Sequence, residues 1–186
     1  GAVLIYDTHE LETETAEARG VRKPALKILE RLLMPFVDNV VAVSDGIAAY
    51  YQQKYGLPVV TVVKNVPPVL PAVPEKTDVF REKFAIPADS LVFLYQGKIA
   101  EGRNIELLLE AFSKQGPAKH IVFMGFGSLT EEVKAYARTY PNIHYHDAAP
   151  PDRVLGFTVG ADVGFSILSD TCLNHRLALP NKLFEY

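Results

Sequence analysis

The sequence predicts an α/β fold made of two lobes, each holding a parallel sheet. Three observations carry that prediction. Short, β-branched apolar runs alternate with amphipathic stretches, the cadence of parallel βαβ units. The cadence breaks once, over residues 65–74, where four prolines in ten residues preclude a helix and stiffen the chain in extended form. At 186 residues the chain is long enough for one large domain or two lobes.

Taken in order, a strand is expected over 2–6, then a polar loop, an amphipathic helix over 24–36 and a strand over 40–43. Ser44 or Asp45 suits the N-cap of a helix over 46–55. Gly56-Leu57-Pro58 ends it, and Val59-Val60-Thr61-Val62-Val63 forms the next strand. Beyond the prolines the cadence restarts with helix 78–84, strand 91–95, helix 105–114 and strand 121–124. Helix 129–139, strand 143–146, helix 152–159 and strand 161–165 follow. A loop over 166–179 precedes the start of a last helix at 182. The division expected is 1–66 for a first Rossmann-like lobe, 67–76 for a proline-rich linker and 77–186 for a second lobe. A strand opening at the first residue and a final helix with no C-cap suggest a fragment of a longer enzyme. Its uncovered strand edges and apolar faces make a homodimer an expected state.

Composition narrows the function. With 19 basic and 22 acidic residues the net charge is only −3, so no nucleic-acid partner is expected. No apolar run reaches a membrane span, which leaves peripheral membrane contact as the one membrane role open. The single cysteine, Cys172, fits a reducing compartment and reads as a small apolar filler. A soluble cytoplasmic protein is expected.

The chemistry concentrates after the run Leu91-Val92-Phe93-Leu94-Tyr95. There a buried strand empties into Gln96-Gly97-Lys98-Ile99-Ala100-Glu101-Gly102-Arg103-Asn104, with a helical pattern directly behind. Ligands of open α/β sheets bind outside the carboxyl ends of the strands. Two cations there, Lys98 and Arg103, beside the N–H groups of a helix start, suit a phosphate or diphosphate. A solvated turn with ordinary surface charges is the competing reading. Gly125 and Gly127 would let the backbone approach a ligand closely, but the third glycine of a dinucleotide fingerprint is missing. His9, among Asp7, Glu10, Glu12 and Glu14, has the residue types of a divalent-metal site, yet the acidic run reads better as solvated loop, so no metal is expected. His144 and His146 share one face of their strand, where a hydrogen bond to a nucleobase competes with edge-strand surface as the simpler role.

These residues resemble a known family. Gly97-Lys98-Ile99-Ala100-Glu101-Gly102-Arg103-Asn104 is similar to the pattern Gly-Arg-Leu-x-x-x-Lys-Gly of the group 1 glycosyltransferases (glycosyltransferase family 4), with the two cations exchanged. Ser44-Asp45-Gly46, the run Val62-Val63-Lys64-Asn65-Val66-Pro67, the Gly-x-Gly of Gly125-Phe126-Gly127 and Ala161-Asp162-Val163-Gly164 resemble further motifs in the family's order. Leu179-Pro180-Asn181-Lys182-Leu183-Phe184-Glu185-Tyr186 resembles a subgroup's ribose-binding helix, and Asp7-Thr8-His9-Glu10-Leu11 an acceptor-domain loop.

The resemblance implies the GT-B architecture, two Rossmann-like domains facing across a cleft. It implies a sugar moved from a nucleotide-diphosphate sugar to an acceptor that is a glycan, a lipid or a small molecule, with retention and without metal or other cofactor. Lys98 and Arg103 would neutralise the leaving diphosphate, His9 would face the donor sugar, and Glu185 would accept hydrogen bonds from the ribose. Asn181 would lie near the phosphate, and Gly97, Gly125 and Gly127 would admit the donor. The family's other acidic position falls on Leu177, so either Asn174 or His175 would meet the sugar or the subgroup uses another arrangement. A non-catalytic nucleotide-binding or interaction fragment, or another GT-B enzyme such as a nucleotide-sugar epimerase, are the alternatives. Nothing after Tyr186 would brace Glu185, so the chain itself is expected to bind donor weakly and to transfer sugar poorly.

Overall fold

The computed structural model describes residues 1–15, 18, 20–67 and 74–186. The chain divides into two compact units: Gly1–Val66 with Ser169–Pro180, and Pro67–Leu168 with Asn181–Tyr186. Most of the expected linker, residues 68–73, lies outside the described residues.

The first unit holds a three-stranded parallel sheet of β1 (Ile5–Thr8), β2 (Asn39–Ala42) and β3 (Thr61–Val62), in that order. Its pairing runs from Ile5↔Asn39 to Thr8↔Ala42, and Val41↔Thr61 continues it. Helix α1 (Arg22–Leu33) passes into a 3₁₀ turn at Met34–Phe36. Helix α2 (Asp45–Tyr55) starts where expected, because Ser44 Oγ accepts the N–H of Ile47 at 3.2 Å. Leu11, Met34, Val40, Ala42, Ile47 and the fully buried Tyr51 form the core. Glu30, on α1, ties the two helices together. Its carboxylate accepts Tyr51 Oη at 2.8 Å, Tyr55 Oη at 2.5 Å and Lys54 Nζ at 2.7 Å.

The second unit holds a four-stranded parallel sheet in the order β6-β5-β4-β7: β4 (Leu91–Lys98), β5 (Lys119–Phe126), β6 (Ile143–His146) and β7 (Val163–Gly164). Between and around them lie α3 (Val79–Phe84), α4 (Ile105–Ser113), α5 (Thr130–Thr139) and α6 (Val154–Thr158). Alternate residues of β4 and β5 feed two cores. Tyr95, Ile121 and Phe123 pack with α4 and α5, and Val92, Leu94, Val122 and Met124 pack with Phe80. A strand buried on both faces reads as a continuous apolar run, which is why these two were plain in the sequence.

Three expectations need correcting. β4 and β5 run past their apolar stretches to Lys98 and Phe126, so Gly97 and Gly125 are strand residues in register with each other. The expected loop over 166–179 contains a short helix, α7 (Leu173–Leu177). The segment Ser169–Pro180 groups with the first unit, where a contiguous 77–186 lobe was expected. Its ties are specific: Asn174 Oδ1 accepts the N–H of Leu11 at 2.8 Å, and Ser44 Oγ donates to the Leu177 carbonyl at 2.9 Å. The chain ends in α8 (Asn181–Glu185), part of the second unit.

Candidate functional site

The strand order of the second sheet marks one place in it. From β4 the chain steps outward to β5 and β6, then returns to β7 on the other flank of β4. Such a reversal opens a crevice outside the carboxyl ends of the two strands that part, where ligands of open α/β sheets bind. Gln96, Gly97 and Lys98 end β4 at that crevice.

Helix α8 packs at the same strand ends. The Tyr186 hydroxyl accepts the backbone N–H of Gln96 at 3.1 Å and donates toward the carbonyl oxygens of Leu94 and Phe165, both at 3.3 Å. Its ring rests on Gly164, where a Cβ would come within 2.3 Å of Tyr186 Cγ. Burial raises the phenol pKa further above its ordinary value, although the Gln96 bond acts the other way. With the helix held there, Glu185 Oε2 accepts a hydrogen bond from Gln96 Nε2 at 2.5 Å. Gln96 Oε1 in turn accepts from Thr158 Oγ1 at 2.9 Å. Glu185 was expected to lack a brace; Tyr186 and Gln96 supply it.

The same helix delivers a cation that the sequence reading passed over. Lys182 Nζ stands 4.0 Å from the centroid of the Tyr95 ring and 3.5 Å from where a Cβ of Gly97 would sit. The ammonium therefore lies beside Gly97, whose backbone at φ +115° suits glycine. Burial lowers the Lys182 pKa to about 8; the nearby Arg103 charge pushes the same way and Glu185 opposes. Burial raises the Tyr95 phenol to about 12, with the Arg103 charge acting the other way. Among the described residues neither Arg103 nor Lys182 has a carboxylate at ion-pair distance. Two cations that repel each other with no counter-charge in contact are relieved by an anion. Its charge would be stabilised by groups already in place.

The loop carrying Arg103 is also unusual in its backbone. Asn104 sits in the left-handed region at φ +53°, and its side chain does not cap α4. A non-glycine residue held there costs on the order of 1 kcal/mol, and such strain clusters at binding sites.

The other expected site residues fall as follows. Lys98 closes β4 with an exposed side chain, and its carbonyl accepts Tyr95 Oη at 2.8 Å. Asn181 is exposed at the first position of α8. Gly125 and Gly127 are required by the neighbouring backbone. A Cβ at Gly125 would lie 1.8 Å from the Gly97 carbonyl oxygen, and one at Gly127 would lie 2.1 Å from that of Ile99. Glycine at both positions is thus explained by close packing of the strand ends. His9 lies in the first unit, just past the end of β1, with its side chain 72% exposed and Nε2 3.5 Å from Asp7 Oδ2. Among the described residues no cluster of three or more histidine, cysteine or carboxylate groups is arranged to hold a metal.

Two further readings change. Leu177 packs its side chain against Gly46, and Asn174 is buried with its amide oxygen committed to Leu11, so Asn174 is not available to a sugar. His175 Nδ1 lies 3.0 Å from the Ser169 carbonyl. His144 and His146 share a face, but that face points inward. His144 stacks on Phe84 and His120, and His146 packs edge-on against Phe80. The first unit has an open cavity of about 410 Å³ between β1 and α1, lined by Leu4, Tyr6, Leu29, Leu33 and Phe36. Among the described residues its charged lining groups are Glu12 and Glu30, which do not suit a phosphate.

No protein-family model matches the chain, and no curated protein does. Solved structures do. A crystal structure of Anabaena HepE in complex with UDP and glucose superposes with a TM-score of 0.63 at 15% identity, covering 87% of this chain and 45% of that one. Sucrose-phosphate synthase from Thermosynechococcus elongatus gives a TM-score of 0.58 at 15% identity, covering 86% of this chain and 43% of that one. The chain therefore spans less than half the length of either. At this identity the likeness establishes the fold, the GT-B type with parallel sheets that the motifs implied.

Proposed function

We propose that this chain supplies the donor-binding part of a glycosyltransferase. Such an enzyme transfers a sugar from a nucleotide-diphosphate sugar to an acceptor, with retention and without a metal. The observation that carries the proposal is the reversal of strand order beside β4, where Gln96, Gly97 and Lys98 end the strand, Arg103 follows in the next loop and Glu185 is hydrogen-bonded to Gln96. HepE, solved with UDP and glucose in the same fold, supports the reading.

The chemistry follows from charge. Breaking the sugar–phosphate bond leaves negative charge on the diphosphate, and fixed cations at its oxygens lower the barrier. Arg103 can grip two phosphate oxygens through its planar fork, whereas an ammonium acts as a point charge. Glu185, oriented by Gln96, offers its carboxylate to ribose hydroxyls. His9 is proposed to contact the transferred sugar and Lys98 to contribute long-range charge.

The test is thermal shift and titration with UDP-, GDP- and ADP-sugars, using wild type and Arg103→Ala. One series should bind, and the substitution should weaken it roughly 10–150-fold, the worth of a charged hydrogen bond. Absence of binding by all three series would remove the proposal. Sugar transfer by the whole enzyme should survive EDTA, and loss of transfer with rescue by a divalent ion would overturn the metal-free reading. His9→Ala should slow transfer and leave UDP affinity unchanged. Tight nucleotide binding with no transfer to any acceptor would favour a binding role instead.

A further inference from the structure

We propose that Lys182, together with Arg103, holds the donor diphosphate directly. The inference rests on the donor-site reading above and assigns within it a contact that no loop motif indicates. Its basis is placement. Lys182 projects from α8 to the end of β4, over the Tyr95 ring and beside Gly97. Tyr186 and Glu185 pin the helix to Gln96, so the ammonium is held where it is. Lys98, by contrast, closes the strand with its side chain exposed.

The groups facing the ammonium set its behaviour. From β4 comes the Tyr95 ring, from the following loop Arg103, and from α8 itself Glu185. Tyr186 is the neighbouring phenol on that side, and its hydroxyl is committed to the β4 backbone. None of these neutralises the charge at contact distance. Burial and the Arg103 charge leave the unliganded ammonium with a pKa of about 8, and a bound diphosphate raises it again. Binding at pH 8 therefore takes up protons at Lys182. Affinity should fall as pH rises, because a neutral amine contributes no charge. Between pH 7 and pH 9 the drop should be roughly tenfold, set by the fraction of protonated amine. Arginine, charged throughout that range, contributes nothing to the slope.

The experiment titrates inorganic pyrophosphate, which is independent of the nucleobase, into wild type, Lys182→Met, Lys182→Arg and Lys98→Met at pH 7 and pH 9. Ionisation of pyrophosphate itself is common to all four proteins and cancels in their comparison. Lys182→Met, which keeps the aliphatic stem over Tyr95, should lose about 10–150-fold in affinity at pH 7 and lose the extra pH dependence. Lys182→Arg should retain binding at pH 7 and bind more tightly than wild type at pH 9. Lys98→Met should keep the wild-type pH profile. A lysine that merely ties α8 to Tyr95 would lower the melting temperature in Lys182→Met and leave the pH profile of binding intact, which overturns the inference. Lys182→Arg that folds like wild type and shows the wild-type pH profile overturns it as well. If wild type binds neither pyrophosphate nor UDP, GDP or ADP, the donor-site reading itself fails. Binding by wild type with no effect of either Lys182 substitution sinks only the present inference.

Discussion

Asp162 accepts hydrogen bonds from Arg81 Nη2 and from the backbone N–H of Val92, each at 2.8 Å, and pairs with Lys76 as well. Its own N–H donates to the Val92 carbonyl at 2.8 Å, so one residue joins the segment before β7 to β4 and α3. Burial works against its charge, but these partners prevail and hold the carboxyl pKa at about 2. Asp162→Ala would strand the Arg81 guanidinium and the Val92 N–H, and should cost about 2–4 kcal/mol of stability in urea unfolding. Because the folded pKa is depressed, the contribution is present above the unfolded value and lost as pH falls through the range down to about 2. In the sequence Asp162 could be seen only as part of a family-like motif, and the structure gives it an architectural role. Gly97 and Arg103 were legible because one lies at the end of an unmistakable strand and the other closely follows it. Lys182 was not, because it reaches that strand end from a distant helix and no local pattern records the meeting.

The strand ends show why element boundaries were harder to read than elements. Apolar runs end at Tyr95 and Met124, so periodicity stops there, yet the ladder continues through Gly97↔Gly125 to Lys98↔Phe126. Glycines normally mark a strand's close. Here they continue it because the two backbones approach too tightly for a side chain. Gly125→Ala should therefore destabilise the second unit by about 3 kcal/mol or more, read as a lower thermal midpoint by circular dichroism. Edge strand β6 carries a second expectation. His144 is stacked between Phe84 and His120, with His120 Nδ1 3.0 Å from its Nε2. Burial, helped by the His120 charge, lowers its pKa to about 4. The unfolded imidazole takes up its proton near pH 6.5, so the stabilisation is full above that and fades as pH falls toward about 4. After discounting for partial exposure, the loss at pH 5 should be about 1 kcal/mol. His144→Phe should flatten that part of the stability–pH curve, and an unchanged curve would show that His144 does not set it. Helix α7 was missed for a different reason. Five residues carry too little periodicity, and their position depends on Asn174 and Leu177 finding partners far away in sequence.

For the chain as a whole, the alternation of strands and helices revealed two Rossmann-like units but not their membership. A contiguous second lobe is the simplest reading of a linear pattern. The structure instead returns Ser169–Pro180 to the first unit and then gives Asn181–Tyr186 to the second. That assignment rests on a few side-chain contacts without any period, which no hydrophobic pattern can encode. It also decides where a nucleotide should act. Arg103, Lys182, Glu185, Gly97 and Asn181 all belong to the second unit, whereas His9, Asn174 and His175 belong to the first. A nucleoside diphosphate without its sugar should therefore stabilise the second unit against unfolding. The gain is about 2.7 kcal/mol at a free concentration of 100 times Kd, with no affinity for the unfolded chain. Hydrogen exchange in the presence of UDP, or of whichever diphosphate binds, should slow at residues 95–105 and 181–186 and stay unchanged at 5–8 and 39–42. Equal slowing in the first sheet would mean that the nucleotide is held elsewhere, and the cation pair at the end of β4 would lose its assigned role.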